Sequence, residues 1–518
     1  MKKEVSQIKI GSILSYLQIA LNIIIGLTYT PIMIRLLGQS EYGLYNTVSS
    51  TISMLSILNL GFASGYVRYY AKYKKENDNE SIYKLNGLFL IVFSVIGAVA
   101  LACGLFLTFN LPLVFADGLT TAEYGTAKIL MLMLSINMAI SFPASVFSNI
   151  VSVHERYIFF KLFGMIRTVI GPLVTLPLLL LGFGSIGMVA VAVTASIIAD
   201  TIFIIYVLKN LKQRFIFHDF EKGIFKELFV YSIFIAMQLI VDQVNWSIDK
   251  FLLGRFRGTT SVAIYSVGYS LFNYCMTFGI SIAGLFVPRV HSIVAQTSNN
   301  KELQKNRLTE IFVKVGRIQY LVLALLVTGI VFFGQPFIRF WAGEGYENSY
   351  YVALLLVIPA VIDFIQHLGI EIQRAQNKQA FRSIVYVIMA VVNLILSIFL
   401  CQFYGEIGAA IGTAISLVLA NGLIINIYYH KKCNIDVIVF WKNILRISLG
   451  LIVPIICGTL IMLFVEFSNI WIMLLFILLY AAIYCLSMWF IGMNDYEKGL
   501  VKGLFNKIFK RKKEEGKC

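Results

Sequence analysis

The chain has 518 residues and a net charge of +16, yet only 14% of its residues are charged and 58% are hydrophobic. Soluble domains carry about a quarter charged residues, so this composition, with a mean hydropathy of +0.81, excludes a soluble globular protein. A basic excess can signal nucleic acid, but here the cations sit in short segments between apolar runs, where anionic lipid headgroups explain them more simply.

A run of about 20 apolar residues at roughly 1.5 Å each crosses the roughly 30 Å hydrocarbon layer. About fourteen such runs follow in order, near residues 11–34, 43–66, 85–109, 126–152, 158–181, 187–208, 226–252, 261–288, 315–334, 350–373, 383–403, 407–429, 447–465 and 469–491. The expected fold is an all-α polytopic membrane protein. The first run is too long for the core of a cleavable signal peptide and is read as the first span. Lys and Arg are retained in cytoplasmic loops, and 36 of the 43 fall in the segments that share a side with the N-terminus. Both termini are therefore expected in the cytoplasm, with Arg35, Arg255, Arg257, Arg339 and acids such as Asp117, Glu123 and Glu344 outside. Trp341, Tyr346, Tyr350 and Trp441 are read as interface anchors. The basic run Lys510-Arg511-Lys512-Lys513 is read as a solvated or lipid-touching end.

The chain reads as written twice. Leu37-Gly38 with Glu41-Tyr42-Gly43-Leu44-Tyr45 after the first span is answered by Leu253-Gly254 and Val262-Ala263-Ile264-Tyr265 after the seventh. Gly184-Ser185-Ile186-Gly187 is answered by Gly405-Glu406-Ile407-Gly408. Two six-helix halves (1–212 and 213–432) share one orientation and are expected to be related by a pseudo-twofold along the membrane normal, with a central cavity. Two additional helices (433–493) and a basic cytoplasmic tail (494–518) complete the expected organisation.

At this point the chain resembles the Wzx-type polysaccharide flippases of the multidrug/oligosaccharidyl-lipid/polysaccharide exporter superfamily. The resemblance rests on Ile10 to Arg35 followed by Leu36-Leu37-Gly38 and Glu41-Tyr42-Gly43-Leu44-Tyr45, on Asn59-Leu60-Gly61-Phe62 with Arg68-Tyr69, and on the six-plus-six-plus-two layout. It implies flipping of an undecaprenyl-pyrophosphate-linked oligosaccharide from the cytoplasmic to the outer leaflet by alternating access, for capsule, exopolysaccharide, O-antigen or wall glycan assembly. It also implies a bacterial plasma-membrane location and glycan polymerase and glycosyltransferase partners; no cofactor is expected, and H+, Na+ and the membrane potential all stand open as the driving force.

An ionisable residue deep in a span costs about 2.5–3.5 kcal/mol on insertion scales and is expected to face a wet cavity. Asp242 and Asp363 are read this way. In the seventh span Gln238, Asp242, Asn245 and Asp249 share one helical face, with Lys250 beside the last; in the tenth, Asp363, Gln366, His367, Glu371 and Arg374 form a similar stripe. Asp249, Glu371 and Arg374 equally suit interhelical contacts or snorkelling ends. Asp242, Asp249, Asp363 and His367 are the candidates for ion or proton coupling.

A pyrophosphate leaving bulk water needs cations, and Arg matches it bidentately. The candidates are Arg167 inside the fifth span, Lys250, Arg35 and Arg255 at outer ends, and Arg68, Arg289 and Arg374 at inner ends, most terminal arginines being interface anchors. The small hydroxyls of the first two spans, among them Ser49, Ser50 and Ser53, are read as close packing and not assigned individually. His154, His218, His291 and His430 are read as solvated loop residues. Pro31, Pro143, Pro172, Pro177, Pro288 and Pro359 permit bends. The seven scattered cysteines show no metal-ligand spacing, so neither a disulfide framework nor a metal site is expected.

A lipid II flippase and a cation-coupled multidrug exporter of the same superfamily are the nearest alternatives. A membrane-embedded glycan polymerase or ligase fits less well, because outer segments near 16 residues leave little room for catalytic groups, and no phosphate loop or nucleophile triad is present. A scaffold subunit has no use for inward-facing Arg167, Asp242 and Asp363.

Overall fold

An apolar run inside a bilayer must satisfy each backbone N–H and C=O internally, and a helix does so. The computed structural model describes residues 2–220, 223–297 and 299–503, and is helical throughout, with no strand among the described residues. The order is α1 (Lys2–Leu37), α2 (Gln39–Ser53), α3 (Phe62–Glu76), α4 (Asn79–Phe109), α5 (Leu111–Phe115), α6 (Thr121–Val153), α7 (Tyr157–Leu180), α8 (Gly184–Ile205), α9 (Ile224–Phe256) and α10 (Thr259–Gly284). There follow α11 (Val287–Gln296), α12 (Lys301–Trp341), α13 (Asn348–Ile365), α14 (Leu368–Ala375), α15 (Gln379–Leu417), α16 (Ile425–Lys432), α17 (Val437–Ser448), α18 (Ile452–Phe464) and α19 (Ile470–Ser487). The run Lys510-Arg511-Lys512-Lys513, Cys518 and the side chains of Asp117 and Gln238 lie outside the described residues.

Among the described residues eleven helical segments are long and apolar enough to cross a membrane, or up to twelve if α10 and α11, bent by 41°, form one span. One segment, Gln379–Lys432, is 54 residues or about 80 Å, too long for a single crossing. It breaks at Gly405, whose φ of 56° and ψ of −134° leave the helical region. Arg257 covers that break: its guanidinium donates to the carbonyls of Cys401 (3.2 Å), Gln402 (2.6 Å) and Phe403 (2.9 Å), which a helix end leaves without partners. Two expected spans are also interrupted. α2 passes to α3 through a 3-10 turn and the left-handed pair Leu60 (φ 48°) and Gly61 (φ 70°), and α13 gives way to α14 at Gln366 and His367.

The chain packs as two compact units, one of residues up to 267 with 390–413, the other of 268–389 with 414 onward. In the first, α6 lies between α4 and α8, α1 packs on α7, and α9 packs on α2 and α3. Tyr66, Phe89 and Phe93 are fully buried there. Tyr66 donates to Asn86 Oδ1 (2.7 Å), whose amide donates to the Arg214 carbonyl (3.2 Å), so the polar linker after α8 is held against α4. In the second unit the 41-residue α12 is the spine against which α13, α17, α18 and α19 pack.

The opening motif has a structural explanation. Gly38 takes φ 77° between α1 and α2, Ser40 donates to Glu123 Oε1 (2.6 Å), and Glu41 accepts from the Ser185 N–H (2.6 Å) and Oγ (2.7 Å). Glu123 also accepts from Thr120 N–H (2.8 Å) and Thr259 Oγ1 (2.7 Å), so α2, α6 and α10 meet at one carboxylate. A Cβ on Gly43 would lie 1.9 Å from the Thr259 carbonyl oxygen. Gly43→Ala is expected to destabilise the first unit by about 1–3 kcal/mol, the cost of overpacking, read as a lower melting temperature in detergent.

Candidate functional site

The expected site residues fall into separate clusters. In the first unit, Asp249 of α9 is 2% exposed and accepts at Oδ2 from Tyr265 Oη and Thr413 Oγ1, both at 2.7 Å. Asn393 extends this set, accepting from Thr413 (3.3 Å) and Ser397 (3.1 Å) and donating to Asn245 Oδ1 (3.4 Å). Asp249 is therefore an enclosed carboxylate fixed by hydroxyls from α10 and α15, with no snorkelling role. Asp242 and Lys250 are half-buried on the same helix.

Arg167 is accessible on α7 and close enough to Asp200 of α8 to act on it electrostatically. Asp200 Oδ2 is buried with no hydrogen-bond partner among the described residues. The rule that singled out Asp242, an ionisable residue deep in a span, applies equally to Asp200, which the sequence reading passed over.

In the second unit Asp363 lies on α13 and faces Arg382 of α15, Nη2 to Oδ1 at 3.8 Å, with side chains 22% and 12% exposed. Arg382 stacks on and hydrogen bonds to Tyr386, its guanidinium 4.5 Å from the ring centre. Tyr386 in turn donates to Asn421 Oδ1 (2.7 Å), held in a π-helical segment, Val418–Ile424, a distortion that commonly marks functional sites. His367 feels the charges of Asp363 and Arg382, and its Nδ1 is buried without a partner among the described residues. Arg382 stands one residue before the span expected from 383. No periodicity links it to Asp363, because the two lie on different helices.

The stripe expected from Asp363 to Arg374 is not one helical face. The helix breaks at Gln366 and His367, and Gly369 lies where a Cβ would come 2.4 Å from the Tyr429 ring. Gln366 turns inward to donate to Asn426 (3.0 Å), while Arg374 pairs with Glu371 (2.6 Å) on the surface.

The terminal cations divide similarly. Arg255 donates to the carbonyls of Leu113 (2.9 Å) and Val114 (2.7 Å), tying α9 to α5. Arg35 and Arg289 are exposed near helix ends, and Arg68 is exposed in the middle of α3. His154 departs from a solvated loop residue: its Nδ1–H donates to the Ile150 carbonyl (2.8 Å), its Nε2 lies 3.1 Å from Tyr70 Oη, and burial, aided by Lys74 and Arg156, pushes its pKa below the ordinary value.

A candidate O-antigen transporter of Shigella flexneri is 20% identical over 412 residues, covering 77% of this chain and 92% of its own. The uncharacterized membrane protein EpsK of Bacillus subtilis (strain 168) is 22% identical over 438 residues, covering 82% and 83%. Among solved structures, the lipid II flippase MurJ in an inward closed conformation superposes with a TM-score of 0.66 at 18% identity, over 92% of this chain and 97% of that one. An inward-facing multidrug resistance transporter of the MATE family gives 0.63 at 14% identity, over 83% and 99%. These likenesses establish the fold. The family model described as polysaccharide biosynthesis protein matches residues 9–294, more than half of the chain, so the protein belongs to that family, on the Wzx-type flippase branch to which its opening motif pointed.

Proposed function

We propose that the protein flips an undecaprenyl-pyrophosphate-linked oligosaccharide from the cytoplasmic to the outer leaflet of a bacterial plasma membrane, by alternating access. It crosses the membrane fourteen times with both termini in the cytoplasm, supplies capsule, exopolysaccharide, O-antigen or wall glycan assembly, and performs transport without chemistry on the substrate. It works beside the glycosyltransferases that build the saccharide and the polymerase that extends it.

The observation that carries this reading is the pairing of Arg382 with Asp363 within the second unit, beside Arg167 and Asp200 on the packed helices α7 and α8 of the first. An intramembrane charge persists where it meets a counter-charge or a wet substrate path, and a guanidinium that leaves a carboxylate for a pyrophosphate gains a bidentate match. Arg167, Asp242, Lys250 and Asp363 bind or steer the headgroup. Arg35, Arg68, Arg255, Arg289 and Arg374 attract it at the two surfaces. Asp249, Asp363 and His367, with Asp242, take up the coupling proton or Na+.

Deleting the gene is expected to accumulate lipid-linked oligosaccharide on the cytoplasmic leaflet, reversed by the wild-type protein. Arg167→Ala, at normal expression, is expected to lower export about 10- to 100-fold, the loss of one charge-assisted contact. No accumulation on deletion, with unchanged surface polysaccharide, would remove this function.

A further inference from the structure

Two polar stripes in the first unit meet without any charge. Ser49 and Ser53 of α2, with Ser56 and Asn59 in the turn beyond it, face Asn137, Ser141 and Ser145 of α6 across a cavity of about 420 Å³. The spacing of four along each helix puts these groups on single faces, and Leu134, Met138 and Phe142 form the apolar remainder. Hydroxyl stripes in membrane helices ordinarily serve close packing. Close packing leaves no such cavity, and this volume lies in the range of about 300–1,000 Å³ typical of small-molecule sites.

The hydrogen-bond inventory defines what would fit. Ser53 and Ser145 donate their hydroxyl protons to the carbonyls of Ser50 (2.7 Å) and Phe142 (2.6 Å), so they present acceptor lone pairs. Gln243 of α9 donates to Ser56 Oγ (2.7 Å). Three amide oxygens, Asn59 Oδ1, Asn137 Oδ1 and Gln243 Oε1, are buried with no partner among the described residues. Buried acceptors left without donors cost about 1–3 kcal/mol each. The set therefore calls for a ligand rich in donors, and the lack of any carboxylate in the lining disfavours a cation.

We propose that this cavity binds uncharged sugar rings, reading their hydroxyls through Asn59, Asn137 and the serines, with Gln243 positioning Ser56 from behind, apart from the charged groups assigned to the pyrophosphate. As the sugar subsite of the transported lipid it rests on the function proposed above. As a saccharide site it can be tested without transport.

The test is saturation-transfer NMR on the full-length protein in lipid nanodiscs, with a panel of neutral saccharides: glucose, galactose, mannose, rhamnose and N-acetylglucosamine. At least one is expected to give a saturable signal that Asn137→Leu abolishes and Gln243→Leu weakens about tenfold. The gentler Ser141→Ala, in a protein of unchanged melting temperature, is expected to weaken it measurably. No saturable signal with any member, a signal indifferent to all three substitutions, or competition by the organic cation tetraphenylphosphonium at these residues would overturn the proposal. In flipping assays, Asn137→Leu is expected to slow the saccharide-bearing lipid and spare sugar-free undecaprenyl phosphate, and equal slowing of both would also overturn it. Saccharide binding by a wild-type protein that flips nothing would remove the transport function and leave the saccharide site standing.

Discussion

Arg382→Met is expected to abolish export and to destabilise the second unit by about 3–5 kcal/mol, the penalty for breaking a buried ion pair by removing one partner. The side chains of Arg382 and Asp363 are 12% and 22% exposed and 3.8 Å apart, so the attraction is little screened by solvent. Without the guanidinium, Asp363 is left as a carboxylate within a span, and Tyr386 loses both its cation contact and a hydrogen bond. Asp363→Asn in the same chain removes the stranded charge. The double variant should recover most of the lost stability, since neutralising both members of a buried pair is often tolerated. Export should stay lost, because no amide replaces a charge that must attract an anion or exchange a proton. Melting temperature and export read together separate the two effects. Full export by Arg382→Met would remove the cluster from the transport path, and a double variant no more stable than the single one would show that the pair is not coupled.

How much of this could be read from the sequence depends on what each feature requires. Spans are local: twenty apolar residues are enough, and the positions expected for α1, α4, α6, α7 and α8 fall on single continuous helices. Some breaks are as local: the one at Gly405 falls in the gap between the spans expected at 383–403 and 407–429. Others are not, and Gly369 is needed because Tyr429, sixty positions away, occupies the space of a Cβ. Asp242, Asp249 and Asp363 were found because a charge in an apolar run is visible without knowing its neighbours. Their partners were not, since Arg382, Asn393 and Thr413 come from other helices, and two of the three look unremarkable in sequence. The serines of α2 illustrate the converse. Their spacing was legible, but whether a hydroxyl stripe packs or lines a cavity depends on the distance to α6.

The last two apolar segments, Val437–Phe464 and Ile470–Gly492, should depend on one latch. Arg317 of α12 is 3% exposed. It grips Glu497 bidentately, Nε to Oε1 at 2.6 Å and Nη2 to Oε2 at 2.9 Å, and also donates to the carbonyls of Gly492 and Asn443, both at 3.0 Å. The start of the expected basic tail is therefore docked, because Glu497 is held by Arg317 of α12, whose other donors reach α17 at Asn443 and the turn after α19 at Gly492. A guanidinium with four such bonds in an enclosed place has no good substitute: Lys offers a point charge without the fork. Arg317→Lys and Glu497→Gln should each cost about 3–5 kcal/mol, with new protease cleavage beyond Gly492 in detergent. Arg317→Met with Glu497→Met buries no stranded charge and should restore much of the resistance to protease. If the single variants stay as resistant as the wild type, the helices are held by apolar packing alone, through contacts such as Phe332 and Phe333 on Tyr480, and the ion pair sets register without contributing to stability.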